Sequence, residues 1–207
     1  MKLYYAPGAC SLAPHIAMRE LGIPVELQKV DLKAKQYEGG DYKQINGKGY
    51  VPAIATDAGV LTEAPVILQY LADQKPEAGL APKNGTMERY HLQEWLNFLT
   101  SEVHKQVSPL FKPNTPEEYK KIAKENLANR FGWLDQQLAG KDYLTGKQFT
   151  VADAYAFVLL GWTKPTQIDL SQWPNLQAFH KRVAARPKVK EAMQAEGLIP
   201  KEQERTT

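Results

Sequence analysis

Tyr4-Tyr5-Ala6-Pro7-Gly8-Ala9-Cys10-Ser11-Leu12-Ala13-Pro14-His15 decides how the chain is read. An apolar run, Leu3 to Tyr5, enters a Pro-Gly turn, and an amphipathic segment follows. Leu12 and Ile16, with Ala13, Ala17 and Leu21, recur at helical spacing, which predicts a helix over residues 11–21. Ser11 is placed as its N-cap. Pro14 then falls in the first turn, where a missing N–H deprives no intrahelical partner. Gly22 stops the helix and Pro24 blocks its continuation. Val25 to Val30 alternates with period two, so a strand follows, and the whole reads as a right-handed βαβ unit. Cys10, the only cysteine of 207 residues, sits at the strand-to-helix junction. A lone cysteine is most often inert packing, whereas a thiol at a helix N-terminus is placed for thiol chemistry; these residues alone leave both readings open.

Downstream, residues 33–50 are polar and glycine-rich and predict a loop with a helical turn at most. Val51 to Thr56 and Val60 to Thr62 flank Asp57-Ala58-Gly59, a hairpin. Val66, Ile67, Tyr70 and Leu71 then predict a helix that Pro65 opens. The order so far is βαβ, loop, ββα, over residues 1–75. Two prolines and two glycines between Lys75 and Gly85 break every period, so residues 76–85 are taken as a linker. The rest, 86–207, reads as helical. Leu92, Trp95, Leu96, Leu99 and Val103 keep helical spacing up to Pro109. Thr115-Pro116-Glu117-Glu118 and Thr150-Val151-Ala152-Asp153 read as capping boxes. Leu176, Phe179 and Val183 form a further helix, and Lys188 to Ala195 a last short one.

Composition narrows the classes of function. A 43% apolar and 24% charged chain is that of an ordinary globular protein with a real core. The net charge of +3 comes from interspersed signs, unlike the basic stripe of a nucleic-acid binder. One cysteine excludes an internal disulfide and a cysteine-based zinc cluster, and the scattered histidines give no metal site. No apolar leader opens the chain and no run approaches the ~18 apolar residues of a membrane span. The expectation is a cytoplasmic protein with no nucleic-acid or membrane partner.

Together these residues resemble the cytosolic glutathione S-transferases, in particular their bacterial beta class. Tyr5-Ala-Pro-Gly-Ala-Cys10-Ser11 looks like the N-terminal signature of that class. Val51-Pro52-Ala53, the Glu63-Ala64 pair, Glu102-Val-His104-Lys105, Ser108-Pro109-Leu110-Phe111 and Phe149-Thr150-Val-Ala-Asp153-Ala-Tyr155 match in order and spacing. The likeness runs from Met1 to about Gly197. It implies an N-terminal thioredoxin-like βαβ-ββα domain, α/β in class, followed by an all-helical (all-α) C-terminal domain. It also implies a homodimer and a co-substrate, glutathione.

Each part of glutathione needs a partner, and the resemblance assigns one to each. Val51, before a cis Pro52, would pair with the cysteinyl backbone; the ordinary reading of Pro52 is a strand-entry proline. Glu63 would take the ammonium and the Ala64 N–H the γ-glutamyl carboxylate, at a helix start that favours anions. The ordinary reading of Glu63 is a dipole-complementing first-turn acid. Ala64 stands where many relatives have Ser or Gly, so no hydroxyl contact remains. Lys35 would take the glycyl carboxylate, and Gly47, where a proline is usual, should loosen its loop. Cys10 and His104 would hold the thiolate, as the catalytic pair. A free thiol has a pKa near ~8.5, so only a few per cent is ionised at neutral pH without help. Asn97, Ser101 and His104, at i, i+4 and i+7, share one face of an ideal helix. Tyr5, Asn97, Glu102 and Lys105 complete the implied glutathione-binding set, with Glu102 reaching the neighbouring subunit's site. Substrate contacts are expected from Pro7, Val107, Leu110 and Trp162. The implied activity is transfer of glutathione to small hydrophobic electrophiles in detoxification, with Cys10 able to form a mixed disulfide with glutathione. A monothiol glutathione-dependent disulfide reductase and a non-catalytic glutathione-binding module are the alternatives. Cys10-Ser-Leu-Ala13 lacks a resolving cysteine, so any disulfide route runs through external glutathione.

Overall fold

The computed structural model describes residues 1–200; positions 201–207 of the expected helical half lie outside the described residues. Strands β1 (Lys2–Tyr5), β2 (Glu26–Asp31), β3 (Gln36–Tyr37), β4 (Gly40–Asp41), β5 (Ala53–Thr56) and β6 (Gly59–Thr62) form one sheet, in the order β4-β3-β2-β1-β5-β6. β1 runs parallel to β2, across helix α1 (Leu12–Glu20), and antiparallel to β5. β5 and β6 are the expected hairpin, with Ile54 opposite Leu61. Helix α2 (Ala64–Gln74) follows, as the sequence predicts.

Alternation along β1 gives the sheet two buried faces. Leu3 points into the main core with α1 and α2; Tyr4 points the other way, into a second cluster with Val30, Tyr42, Val51 and Ala53. That second face is covered by the segment expected to be loop. Residues 33–50 contain β3, β4 and a 3-10 turn over Tyr42–Gln44, and Tyr42 is wholly buried. Polarity hid this. Pairing of Tyr37 with Val30 and burial of Tyr42 need only two aromatic anchors, too few to create a period.

The remaining helices are α3 (Met87–Phe98), α4 (Glu117–Gln137), α5 (Val151–Gly161), α6 (Pro174–Ala184) and α7 (Pro187–Ala195). Every residue of α5 from Val151 to Leu160 is buried, as befits a central helix. The capping box at its start is present: Asp153 Oδ2 accepts from the Thr150 N–H at 2.7 Å and from the Thr150 hydroxyl at 2.9 Å. Its other oxygen accepts from the Leu144 N–H at 2.8 Å. Helix α1 packs on α2, α5 and α7, so one core runs through both halves of the chain. No described helix is long and apolar enough to cross a membrane.

Three local expectations are corrected. Ser11 does not cap α1; its hydroxyl accepts from the Ala6 N–H at 3.2 Å and lies 3.3 Å from the Ala6 carbonyl, which ties the Pro-Gly turn closed. Thr115 makes no capping box. Pro116 is extended (ψ 143°), so α4 begins one residue later, at Glu117, with no side-chain cap. The long helix from Thr86 is not α-helical throughout. α3 passes into a π-helical stretch, Leu99–His104, then one turn, Lys105–Val107, and a 3-10 turn, Ser108–Phe111.

Candidate functional site

A cleft of ≈ 1690 Å³ opens between the sheet half and the helical half. The turn after β1 supplies Pro7, Gly8 and Cys10; the strand-entry segment supplies Val51 and Pro52; the start of α2 supplies Glu63 and Ala64. Across from them stand Thr100, His104, Lys105, Ser108 and Phe111, and Tyr155 and Trp162 from α5 and its end.

The Cys10 turn is clamped from the helical half. The Gly8 N–H donates to Glu196 Oε2 at 3.0 Å, and the Trp162 indole N–H donates to the Gly8 carbonyl at 2.8 Å. Gly8 itself is in the left-handed region (φ 70°), with Leu198 packed over it. Glu196 is held by wholly buried His15 at 2.9 Å, and Arg19 Nε donates to the other nitrogen of that ring at 3.2 Å. Arginine is only a donor, so His15 Nε2 accepts and Nδ1 carries the hydrogen toward Glu196. His15 is thus structural.

Cys10 is half-buried, and its thiol donates to the Val51 carbonyl at 3.1 Å. Burial pushes its pKa up to about 12, and the negative Glu63 adds to the rise. Hydrogen bonds from nearby backbone N–H groups act the other way but do not prevail. The helix start therefore does not make Cys10 a thiolate in the free protein, contrary to the reading from its place in the sequence. His104 Nδ1 lies 2.7 Å from the Tyr155 hydroxyl, and its ring meets Trp162 edge to face at 4.8 Å. Burial, with a smaller contribution from Lys105, lowers its pKa to about 4. His104 is a neutral hydrogen-bonding group at pH 7, not a cation. Burial also raises the Tyr155 phenol, so that hydroxyl keeps its proton.

The Val51–Pro52 peptide is cis, and both residues line the cleft. Glu63 caps α2 with φ 72° and ψ 116°, a conformation non-glycine residues adopt at a cost and chiefly at ligand sites. Its carbonyl accepts from the Val66 and Ile67 N–H groups. Its carboxylate is paired with Lys48 Nζ at 2.6 Å. Lys35, also left-handed at φ 57°, donates to the Gly49 carbonyl at 2.9 Å and lies over the Tyr50 ring. Around Gly47, Asn46 accepts from the Lys48 and Gly49 N–H groups and donates to the Tyr50 carbonyl.

Cys10, Lys35, Val51, Pro52, Glu63, Ala64, His104 and Lys105 thus meet in one cleft. Tyr5, Asn97 and Glu102 do not line it. Tyr5 packs on the core beside His15. Asn97 is exposed, and Glu102 pairs with Arg130 within the chain at 2.7 Å. The π-helical stretch explains the divergence of Asn97 and Ser101 from His104. Thr100, His104 and Ser108 line the cleft, and Asn97 and Ser101 do not. Of the expected substrate contacts, Pro7 and Trp162 line the cleft. Val107 is wholly buried and Leu110 packs on the core, because the 3-10 turn rotates Phe111 outward in its place. Sequence reasoning gave no role to Tyr155, Thr100 and Phe111 in the cleft, nor to Lys48, which stands outside its lining, beside Glu63. Tyr155 and Phe111 carried a signal, as the last residues of the Phe149–Tyr155 and Ser108–Phe111 motifs.

Fold and cleft together define a two-part protein: a thioredoxin-like half presents a backbone edge and the cysteine, and a helical half presents the histidine. Family models described as the N-terminal and the C-terminal domain of glutathione S-transferase match residues 8–74 and 98–187. Glutathione S-transferase GstA of Escherichia coli O157:H7 is 44% identical over 96% of this chain and 100% of its own length. A solved ternary complex of BphK, a bacterial GST, superposes with TM-score 0.94 at 54% identity, over 95% of this chain and 100% of that one. A bacterial beta class glutathione S-transferase of Sphingomonas chungbukensis superposes with TM-score 0.93 at 50% identity, over 96% of this chain and 100% of that one. The chain belongs to the glutathione S-transferase family, in its bacterial beta class.

Proposed function

We propose that the cleft binds glutathione as an extended peptide and joins it, through its sulfur, to small hydrophobic electrophiles. The observation that carries this is the Cys10–Val51 hydrogen bond at the centre of the cleft. A strand-edge carbonyl that a peptide N–H would use is held by a weak thiol donor, which a bound cysteinyl N–H replaces. The peptide then pairs with Val51. Its ammonium meets Glu63, its γ-glutamyl carboxylate meets the Ala64 N–H, and its glycyl carboxylate meets Lys35. Lys105 adds positive charge near the sulfur. The Tyr155 hydroxyl donates to His104 Nδ1, which leaves the hydrogen on Nε2 to stabilise the ligand's thiolate. The bound thiol gives its proton to solvent water, the thiolate attacks the electrophile, a carbon–sulfur bond forms, and the leaving group departs with the bonding pair. Phe111, Trp162 and Pro7 offer the electrophile an apolar wall.

The raised Cys10 pKa favours this transferase reading over the monothiol reductase, in which Cys10 itself would have to attack a disulfide as a thiolate. A mixed disulfide with glutathione remains a chemistry open to Cys10 when oxidised glutathione is the partner: Cys10 displaces one reduced glutathione and keeps the other. Asn97 and Glu102 belong to this reading only through a homodimer, in which a second copy would bring them to the neighbouring cleft.

The test measures retention on immobilised glutathione, conjugation of an aromatic electrophile and reduction of a mixed disulfide for the wild type, Cys10→Ala and His104→Ala. The expected result is conjugation that survives in Cys10→Ala and is lost in His104→Ala. Loss of every activity in Cys10→Ala would make the cysteine the centre of a reductase. Retention without any turnover in the wild type would leave a binding module.

A further inference from the structure

Lys48 is the charged group in this region that the reading above does not use. Its ammonium is 2.6 Å from Glu63 Oε1 and 2.8 Å from the Thr62 hydroxyl. An ammonium has three N–H donors, so one is left over. The side chain is about half exposed, and the leftover N–H has no acceptor among the described residues. Glu63 Oε2 likewise has no partner among the described residues. The pair therefore presents one free carboxylate oxygen and one free ammonium N–H side by side.

The start of α2 beside them is short of donors. Pro65 has no N–H, and the Val66 and Ile67 N–H groups are used by the Glu63 carbonyl. Ala64 offers one N–H and no hydroxyl. A carboxylate docked there has two oxygens and finds a single donor from the helix. The loop holds Lys48 where a second donor is needed. Buried Asn46 accepts from its N–H at 3.2 Å.

We propose that Lys48 is a binding and specificity residue for the α-amino-acid end of the ligand. Its free N–H takes one carboxylate oxygen while the Ala64 N–H takes the other, and it turns Glu63 so that Oε2 receives the ligand ammonium. The four charges then alternate in sign, which selects a zwitterionic α-amino acid over a plain carboxylate or a plain amine. This assignment rests on the glutathione reading of the cleft.

Calorimetric titration tests it on the full-length wild type, Lys48→Met and Lys48→Arg. The ligands are glutathione and γ-aminobutyryl-cysteinyl-glycine, which keeps the amino group and lacks the α-carboxylate. Expected is a Kd for glutathione about fivefold weaker in Lys48→Met, the scale of a partly exposed charge pair, with recovery in Lys48→Arg. The decarboxylated ligand, which keeps only the ammonium contact with Glu63, should lose clearly less than glutathione does in Lys48→Met. Glutathione binding that is unchanged or tighter in Lys48→Met, or an equal loss for both ligands, overturns the role of Lys48 and leaves the glutathione reading standing. Absence of glutathione binding in the wild type overturns both.

Discussion

The two ends of the cleft treat charge in opposite ways. At the thiol end, Cys10, His104 and Tyr155 are all held neutral by burial. At the α2 end, Glu63 and Lys48 stay about half exposed and face each other as an ion pair. Low dielectric penalises an isolated charge and strengthens a hydrogen bond, so the buried end suits the stabilisation of one thiolate that arrives with the ligand. Water screens the other end, where fixed charges can read a zwitterion without a large desolvation cost. The site thus separates recognition by charge from chemistry on sulfur.

Alkylation gives the largest test of that contrast. A thiol with a pKa near 12 loses far more in thiolate fraction than it gains in nucleophilicity, so Cys10 should react with iodoacetamide at pH 7.5 about a hundredfold more slowly than free cysteine. Intact-mass kinetics would show it, and a rate like that of free cysteine would erase the difference between the two ends. Next in size is acid stability. The His104 pKa is lowered from its unfolded value of 6.5 to about 4 by burial. Its contribution to stability is therefore fully present above pH 6.5 and is lost as the pH falls toward 4. Urea unfolding at pH 7 and pH 4.5 should show a fall of about 2 kcal/mol in the wild type that is missing from His104→Gln, after the common acid effect is subtracted. At the charged end, Glu63→Gln should weaken glutathione binding about tenfold, the worth of one charge-assisted hydrogen bond, and leave the slow alkylation of Cys10 in place. Alkylation as fast as that of free cysteine in Glu63→Gln would mean that Glu63, and not burial, sets the protonation of Cys10. Tyr155→Phe is the smallest: loss of one buried hydrogen bond to His104 Nδ1 should lower kcat/KM about fivefold, with a shift in its acid limb.

Much of this was legible in the residues. Leu3 and Leu12 with Ile16, the Asp57-Ala58-Gly59 turn, and Pro65 before Val66 and Ile67 mark strand, helix, hairpin and helix in their observed order. The Thr150–Asp153 box is where its spacing puts it. Local rules failed where a side chain had a distant partner. Ser11 turns back to Ala6 instead of capping α1, and Pro116 holds the chain extended one residue longer than Thr115 predicts. The face shared by Asn97, Ser101 and His104 assumed 3.6 residues per turn, and the π-helical stretch removes that premise. Lys48 carried no signal at all, since a lysine between glycines in a polar loop is indistinguishable from a solvated one.

The βαβ and ββα units on either side of residues 33–50, the helical second half, the single cysteine at the first strand-to-helix junction and the kinship with the glutathione S-transferases were written in the chain, because periodicity, capping residues and turn chemistry act over a few neighbours. The protonation of Cys10 and His104, the Gly8 clamp from Glu196 and Trp162, and the Lys48–Glu63 pair were decided by the fold alone. Burial and long-range hydrogen bonds depend on groups up to 188 residues apart in the sequence, and no local pattern records which of them will meet.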